Sequence, residues 1–291
     1  MTIDIDSIRR QLGQSTVDFD DATIAPMRAL GAAFERPERV PELGEPIPAG
    51  WHVGYFQPAI PRSELGQDGL PLSTGVLPHI PLPRRVHGGS QLLFEDEIRV
   101  GDSLKRETVF SDARVIEGRS GKMILTEVTR TIHTPRGVAI IDRRRLIFRN
   151  SASTLRSSSP AADPVPRARA AIWSRQHCAD TLTLFRYSAA VMATHRIHYD
   201  LPYATQEEGY PGLVVQGPYT QQCMIDLVTD NYPGQSILSF DMKTRAPIFG
   251  GEPFQVCGVP TEEGAELWAV GGAGQLAMEA TVTLAPSAPK R

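Results

Sequence analysis

Segments with the pattern of β-strands form two groups, which lie on either side of a stretch rich in serine, proline and alanine. That stretch, residues 151–169, has the composition of an interdomain linker. Four candidate strands precede it and four follow it, each bounded by turn-forming residues. They are residues 91–94, 103–110, 122–133 and 138–148 before the linker, and 236–246, 253–259, 265–271 and 275–284 after it. The sequence therefore predicts two antiparallel sheets, and we divide the chain into residues 1–155, a linker at 156–170, and residues 171–291.

The length of 291 residues is sufficient for two domains that each bury a core. A formal net charge of -3 argues against nucleic acid as the main partner. The three cysteines are odd in number and show no metal-ligand spacing, which favours a reducing compartment. The polar N-terminus does not resemble a secretory signal, and no apolar run approaches the roughly 20 residues of a membrane helix. We therefore expect a cytoplasmic protein without a membrane partner.

Between the N-terminus and the first candidate strand, the sequence predicts little regular structure. Residues 1–19 are polar and favour a short helix or an arm. Residues 20–34 carry apolar side chains at helical spacing and predict an amphipathic helix. Residues 35–85 are rich in proline and glycine, and they predict an irregular region anchored by the aromatic residues Trp51, Tyr55 and Phe56. Such loops often line ligand sites.

Residues 185–228 hold the densest cluster of chemically useful side chains. His195, Arg196, His198, Tyr199 and Asp200 lie within six residues. The aspartate is a good N-cap for a short helix at 201–208, and residues 211–215 read as a turn into a buried strand. From residue 219 onward, apolar side chains recur every three or four positions, as on one face of a buried helix.

The start of that buried helix is a candidate site for a developing oxyanion. Gly217 lies at the expected N-terminus, where free amides and the positive end of the helix dipole stabilise negative charge.

The motifs of this stretch resemble those of a known family. HRIHYD followed by PYA, and EGYPGLVV followed by GP, are similar to the C-terminal half of MaoC-like hydratases with two hot-dog repeats. That group includes mesaconyl-C4-CoA and itaconyl-CoA hydratases. SELGQDGLP, PLPRR, RVGD and GRSGK resemble the N-terminal half of the same family, and GEPFQVCG and LAMEAT resemble its end. The resemblance covers roughly the whole chain, and several motifs in order are more specific than one short match.

The resemblance implies an α+β fold of two hot-dog repeats, each an antiparallel sheet wrapped around a central helix. It implies reversible hydration of an α,β-unsaturated acyl thioester, with His198 as the base, His195 beside it and Gly217 as the oxyanion donor. One residue departs from the family pattern. Position 193, five residues before His198, is Ala193, where the family has an aspartate or asparagine, and alanine offers no hydrogen bond.

Further candidates for substrate contact lie on both sides of the linker. Tyr187 and Ser188 read as polar groups on a strand, with simple packing as the alternative. Arg196 is a candidate for the site or for a solvated neighbour. Arg84 and Arg85 could bind the phosphates of coenzyme A through charge-assisted hydrogen bonds, or they could belong to a solvated loop.

Two other positions differ from the usual family pattern. His87 stands where relatives tend to have tryptophan, which predicts an altered acyl pocket. The basic run at 143–145 reads as an exposed strand face or sheet edge, where charge discourages pairing with another chain.

The sequence leaves three functions open. Hydration of an acyl thioester on coenzyme A or a carrier protein is the first, and it predicts neither a metal nor another cofactor, because no ligand cluster or glycine fingerprint occurs. Thioester hydrolysis is the second. The third is a diverged protein that binds a small molecule or catalyses another reaction, as the alanine at position 193 would permit. A monomer with two repeats and a homodimer are both compatible with the sequence.

Overall fold

Ten strands form one continuous antiparallel sheet in the computed structural model of the protein, which describes residues 4–72, 75–82, 84–118, 121–149 and 170–286. The strand order is β1-β3-β4-β5-β2-β7-β10-β9-β8-β6. The strands are β1 (Ser15–Asp21), β2 (Arg84–Phe94), β3 (Ser103–Gly118), β4 (Gly121–Thr134), β5 (Gly137–Arg149), β6 (Trp173–Cys178), β7 (Ile237–Thr244), β8 (Pro253–Pro260), β9 (Gly264–Val270) and β10 (Leu276–Leu284). All eight predicted strands are present.

Four α-helices accompany the sheet within the described residues. They are α1 (Ile5–Arg9), α2 (Ile24–Ala33), α3 (Thr181–Ala190) and α4 (Gly217–Asn231). The predicted helices at 20–34 and from residue 219 are confirmed. The described residues from 35 to 72 and from 75 to 82 are irregular apart from three short 3-10 turns. Trp51, Tyr55 and Phe56 are buried there as predicted, which anchors this region to the main core.

The two halves of the sheet meet where β2 pairs with β7. A bulge between His87 and Gly89 lets β2 bend at this junction. Gly89 has a φ of 143°, and a Cβ atom there would lie 2.3 Å from the carbonyl oxygen of Met242 on β7. Only glycine therefore permits this close approach of the two backbones. The predicted linker at 156–170 lies outside the described residues except for its last position, so the division of the chain at that point stays a prediction.

Helix α4 is buried on more than one side. Its apolar face, which includes Cys223, Met224 and Leu227, packs on the C-terminal strands. The opposite face is polar and also buried. The Gln222 amide donates to the carbonyl oxygen of Ala49 at 3.0 Å and to Asp226 at 2.9 Å. The irregular N-terminal region therefore covers the side of α4 that the sheet leaves open.

An ion-pair network ties the end of α4 to both halves of the chain. Asp230 accepts hydrogen bonds from Arg36 at 2.5 Å and from Arg175 at 2.7 Å, and it also pairs with Arg39. Arg36 and Arg39 come before strand β2 in the sequence, whereas Arg175 lies on β6. The network therefore links the N-terminal region, α4 and the far edge of the sheet.

Three local predictions were wrong. Residues 15–21 are not an arm but the edge strand β1, which pairs with β3. Tyr187 and Ser188 lie on helix α3 and not on a strand, because Asp180 accepts the amide of Thr183 and thereby caps a helix. Within residues 211–215, Leu213, Val214 and Val215 are buried, but the segment forms only a single β-bridge at Val214 and no strand.

The expectation for residues 143–145 was also wrong. Strand β5 lies inside the sheet, between β4 and β2. Its three arginines are half-buried and find polar partners: Arg143 donates to Gln91, Arg144 to Asp142, and Arg145 to Asp241. Charge therefore does not mark a sheet edge here.

In the part of the chain that the structure describes, no helix is long and apolar enough to cross a membrane.

Candidate functional site

The HRIHYD motif folds into a 3-10 turn at Arg196–His198 that docks against the segment before α4. The amide of Val214 donates to the carbonyl oxygen of Ile197 at 2.9 Å. Nδ1 of His198 lies 2.7 Å from the carbonyl oxygen of Val214. Because a carbonyl oxygen only accepts, Nδ1 carries the proton, and in the neutral ring Nε2 keeps its lone pair.

Burial keeps this imidazole neutral. It lowers the pKa of His198 from 6.5 to about 4, although the bond to Val214 acts in the opposite direction. The pKa of His195 falls to about 3, chiefly through burial and further through the nearby His198 and Arg85. The centroids of the two imidazole rings are 5.7 Å apart, and the ring planes are nearly perpendicular. At neutral pH the site therefore holds two uncharged imidazoles, of which His198 has a fixed tautomer.

Arg196 is engaged by the protein itself. Its guanidinium donates to Asp200 at 2.7 Å and to the carbonyl oxygen of Gln67 at 2.9 Å, and it lies over the ring of Tyr203. Asp200 also accepts the amide of Tyr203, as its predicted capping role requires. The helix that it caps is short and continues as a π-helical turn at Tyr203–Glu207. Arg196 therefore holds the histidine turn against the loop of the N-terminal region that contains Gln67.

A glycine makes the same docking possible. Gly69 has a φ of 82°, and a Cβ atom at this position would lie 2.1 Å from the carbonyl oxygen of Thr194. The amide of Arg196 donates to the carbonyl oxygen of Asp68 at 2.8 Å. The loop carrying SELGQDGLP is thereby held against the turn carrying HRIHYD, which brings motifs from both halves of the chain together.

The predicted phosphate-binding arginines lie on strand β2 and not in a solvated loop. Arg84 is 3.5 Å from Glu208, and both side chains are largely buried. Burial lowers the pKa of Arg85, an effect that Asp68 opposes. Arg85 also contributes to the low pKa of His195, so its positive charge lies near the two imidazoles.

Gly217 begins helix α4, with Gln216 as the N-cap residue and Pro218 in the first turn. A Cβ atom on Gly217 would lie 3.3 Å from Nδ1 of His87, which stands on β2. The helix start therefore faces the junction strand. The close approach of His87 was not foreseen in the sequence, although the departure from tryptophan pointed to this position.

Tyr187 and Ser188 lie beside the same N-cap. The amide of Gln216 donates to the Ser188 hydroxyl at 2.8 Å and to the carbonyl oxygen of Leu184 at 2.9 Å. Among the described residues, the Tyr187 hydroxyl and Oε1 of Gln216 are buried without a hydrogen-bond partner. Ala193 is close, because its amide donates to the carbonyl oxygen of Ser188.

A small polar cavity adjoins the start of α4, and the sequence did not predict it. Its volume is about 10 Å³. Its lining comes from the irregular region, β2, β5 and α4, and consists of His52, Val53, His87, Ser90, Leu92, Asp142, Arg144, Pro218 and Gln221. In the sequence, only the histidine at position 87, where relatives tend to have tryptophan, pointed to this region. In the described ranges, the cavity included, no group of three histidine, cysteine or acidic side chains could hold a metal ion.

Comparison with known proteins shows extensive similarity. Residues 50–250 match the family described as hydroxyacyl-thioester dehydratase type 2. The chain is 35% identical to the mesaconyl-C(4)-CoA hydratase of Chloroflexus aurantiacus over 275 residues, which is 94% of this chain and 96% of that protein. It is 26% identical to the mitochondrial hydroxyacyl-thioester dehydratase type 2 of Schizosaccharomyces pombe over 75% of this chain and 79% of the relative.

Solved structures share the fold at low sequence identity. A MaoC-like dehydratase from Phytophthora capsici is 12% identical, with a TM-score of 0.69 over 98% of this chain and 100% of that one. A Mycobacterium tuberculosis protein described as a double hotdog fold is 13% identical, with a TM-score of 0.57 over 94% of this chain and 96% of the other. The α+β fold of two hot-dog repeats is therefore confirmed, and the sequence matches show that the chain belongs to the hydroxyacyl-thioester dehydratase type 2 family.

Proposed function

We propose that the protein catalyses the reversible addition of water to an α,β-unsaturated acyl thioester, with His198 as the base. The observation that carries this proposal is the hydrogen bond from Nδ1 of His198 to the carbonyl oxygen of Val214. It directs the free lone pair to Nε2, and the low pKa keeps that lone pair available at neutral pH. Family membership and the hydratase relative support the same reaction.

In the hydration direction, Nε2 of His198 takes a proton from water while the water oxygen bonds to the β-carbon of the enoyl group. The electrons of the carbon–carbon double bond move toward the thioester carbonyl, whose oxygen becomes negative. The amide of Gly217 and the dipole of α4 stabilise this enolate. The proton on His198 then passes to the α-carbon, which completes the addition of one water molecule without another reactant.

His195 is the proposed partner of His198 in place of the carboxylate or amide absent at Ala193. Its ring lies 5.7 Å from that of His198 and is neutral at pH 7, so it can hold a water molecule through one ring nitrogen. Ser188 is proposed to support the substrate pocket through its contact with Gln216 at the start of α4. The buried Tyr187 hydroxyl, which has no partner among the described residues, is proposed to contact the substrate. Arg196 acts indirectly, by holding the histidine turn.

The carrier group of the proposed substrate is coenzyme A. Arg84 and Arg85 are adjacent on β2, and the charge of Arg85 acts on His195. A pyrophosphate bound there would be held by charge-assisted hydrogen bonds. A carrier protein with a phosphopantetheine arm presents the same thioester and is the alternative carrier.

The function is tested by incubating the protein with enoyl-CoA thioesters, from crotonyl-CoA to mesaconyl-CoA and itaconyl-CoA, and following the products by mass. We expect the gain of one water molecule. His198→Ala should lower the rate by about 10²- to 10⁴-fold, the usual contribution of a general base. His79→Ala is the matched control, because His79 is exposed.

Other outcomes would contradict the proposal. Release of free coenzyme A would identify a thioesterase, and binding without turnover would identify a diverged binding protein. Ala193→Asn should leave the rate unchanged or raise it, because asparagine restores a group that can hold water. A large loss of activity in that variant would mean that the space beside Ala193 is itself needed.

The cellular location is proposed from the sequence, and the assembly from the sequence and the strand order. We propose a cytoplasmic protein that can form a homodimer through a sheet edge, since β1 and β6 end the sheet. Cell fractionation and light scattering test these two points.

A further inference from the structure

His87 of strand β2 presents one edge of its ring to the start of helix α4. A Cβ atom added to Gly217 would lie 3.3 Å from Nδ1 of His87 and 3.8 Å from Cγ. Apart from α4 itself and the chain neighbours of Gly217, no other described atom would lie within 4 Å of it. The His87 side chain is partly exposed, but its Nδ1 is buried and has no hydrogen-bond partner among the described residues. A buried nitrogen of this kind points to a ligand that completes its hydrogen bonding.

Nδ1 of His87 and the amide nitrogen of Gly217 are close enough for one oxygen atom to bond to both. As the first residue of α4, Gly217 has an amide without an acceptor inside the helix. The nitrogen of a residue is about 2.5 Å from its own Cβ position, because both are attached to the same Cα atom. With Nδ1 at 3.3 Å from that position, the two nitrogens are at most about 5.8 Å apart. An oxygen at about 2.9 Å from each nitrogen therefore fits between them.

The charged groups around this ring favour a negative charge. His87 lines the small polar cavity together with Asp142 and Arg144, and Nε of Arg144 donates to Oδ2 of Asp142 at 2.6 Å. Arg130 lies opposite Asp142 in the sheet, and repulsion by Arg144, together with burial, lowers the pKa of Arg130 to about 9. One carboxylate therefore faces two guanidiniums, and the surplus positive charge would stabilise an oxyanion beside the ring.

The same surroundings keep His87 neutral. Burial lowers the pKa of His87 to about 4, and repulsion by Arg144 adds to the effect. A neutral imidazole carries one proton, on either of its two nitrogens. Because an oxyanion only accepts hydrogen bonds, it would stabilise the form of His87 that is protonated at Nδ1.

We propose that His87 is a further catalytic residue, which donates a hydrogen bond from Nδ1 to the thioester oxygen beside the amide of Gly217. The inference rests on the proposed function, because that function places the thioester carbonyl at Gly217. Both hydrogen bonds strengthen as negative charge develops on the oxygen, so they stabilise the enolate more than the substrate. No proton moves to the oxygen, since a neutral imidazole is a very weak acid. The proton taken by His198 still passes to the α-carbon.

Two substitutions at this position separate the hydrogen bond from packing. His87→Phe keeps a ring of similar size without a donor, and it should lower kcat/KM about 10²-fold, as removal of one oxyanion-hole donor usually does. His87→Asn keeps an N–H group close to the position of Nδ1 and should retain at least about tenfold more activity than His87→Phe. The substrate is whichever of crotonyl-CoA, mesaconyl-CoA and itaconyl-CoA is hydrated fastest. The control His79→Phe, at an exposed position, should leave kcat/KM unchanged.

Two kinetic outcomes would overturn the inference. One is a loss of less than about threefold in His87→Phe, which is too small for an oxyanion-hole donor. The other is an equal loss in the phenylalanine and asparagine variants, because removal of a base or of a packed ring would affect both alike. Should His87→Phe fail to fold, His87→Leu takes its place as the variant without a donor.

Infrared difference spectra test the contact without turnover. The probe is butyryl-CoA, isotopically labelled at the thioester carbonyl, which binds the carrier site but has no double bond to hydrate. Hydrogen bonds to the carbonyl oxygen lower its stretching frequency. Because two groups donate to this oxygen, His87→Phe should remove about half of the shift, whereas His87→Asn and the control His79→Phe should retain it.

The two measurements separate failure of the inference from failure of the proposed function. Efficient hydration by His87→Phe, with an unchanged carbonyl frequency, would overturn the inference and leave the hydratase intact. A carbonyl frequency that depends on His87, with no hydration of any enoyl thioester, would support the hydrogen bond and overturn the proposed function.

Discussion

Mild acid should destabilise this protein strongly, because several histidines are buried in neutral form. Burial lowers the pKa of His52, His87 and His198 from 6.5 to about 4 in each case. In the unfolded chain each imidazole titrates near its ordinary pKa, so below pH 6.5 the unfolded state binds more protons than the folded state. Stability from these groups is therefore complete above pH 6.5 and is lost as the pH falls toward 4.

The size of the effect follows from the pKa difference. Each shift of about 2.5 units corresponds to roughly 3 kcal/mol, reached in full near pH 4. At pH 5.5 the loss is about 1.4 kcal/mol for each histidine, or about 4 kcal/mol for the three. This is a large part of the roughly 5–15 kcal/mol that stabilises a typical protein. We therefore expect unfolding between about pH 5.5 and 4.5.

Other groups modify this result without reversing it. The lowered pKa values of carboxyls such as Asp102 and Asp142 place their titration below the window. Asp226 acts in the opposite direction, because burial raises its pKa. His195 and His177 also have lowered pKa values, mainly through burial, and they add to the loss.

The assay is urea unfolding at a series of pH values from 8 to 5.5, followed by the fluorescence of the buried Trp51 and Trp268. His52→Leu should remove about a fifth of the pH dependence of the unfolding free energy, since it removes one of five histidines with lowered pKa values. The control substitution His79→Leu, at an exposed position, should leave the pH dependence of the unfolding free energy unchanged. A loss below about 1 kcal/mol between pH 8 and 5.5 would refute the reasoning, as it would mean that these imidazoles titrate normally in the folded protein.

Three further outcomes are expected. Asp230→Asn should lower the free energy of unfolding by about 1–3 kcal/mol in urea titrations, because three guanidiniums lose a charged acceptor; an unchanged value would show that solvent replaces it. Gly217→Ala should change the unfolding free energy by less than about 1 kcal/mol but lower kcat/KM at least about tenfold, since the added methyl faces His87 at 3.3 Å; full activity would remove Gly217 from the site. Replacing Arg84 and Arg85 by alanine should weaken coenzyme A thioesters more than pantetheine analogues in calorimetry, and equal weakening would argue against phosphate contact.

The regular elements of the fold were largely predictable from the sequence. The eight strands show their β pattern over short windows, and helix α4 shows its apolar spacing after a glycine and a proline. Strand β1 was missed because its polar residues lie on an exposed edge, where burial imposes no alternation. Helix α3 was missed because the cap formed by Asp180 was not recognised. Local patterns thus succeed where one face is buried and fail where a single side chain starts an element.

One part of the candidate site could likewise be predicted from the sequence, and another part could not. The histidine turn and Gly217 lie within one short stretch, and their motifs are legible there. The cavity is not, because His52, Ser90, Arg144 and Gln221 come from four separate elements. The arginines of β5 illustrate the difficulty: their sequence suggests solvent, yet the strand lies inside the sheet.

By itself, the sequence determined eight of the ten strands, the buried helix and the residues of the histidine turn, since each depends on neighbours a few positions away. Only the tertiary structure decided that β2 pairs with β7 through Gly89. It also decided that His87 lies against Gly217, and that Arg144 points into a cavity beside it. The physical reason is that strand order and side-chain burial arise from contacts between distant segments, which leave no local periodic pattern in the chain.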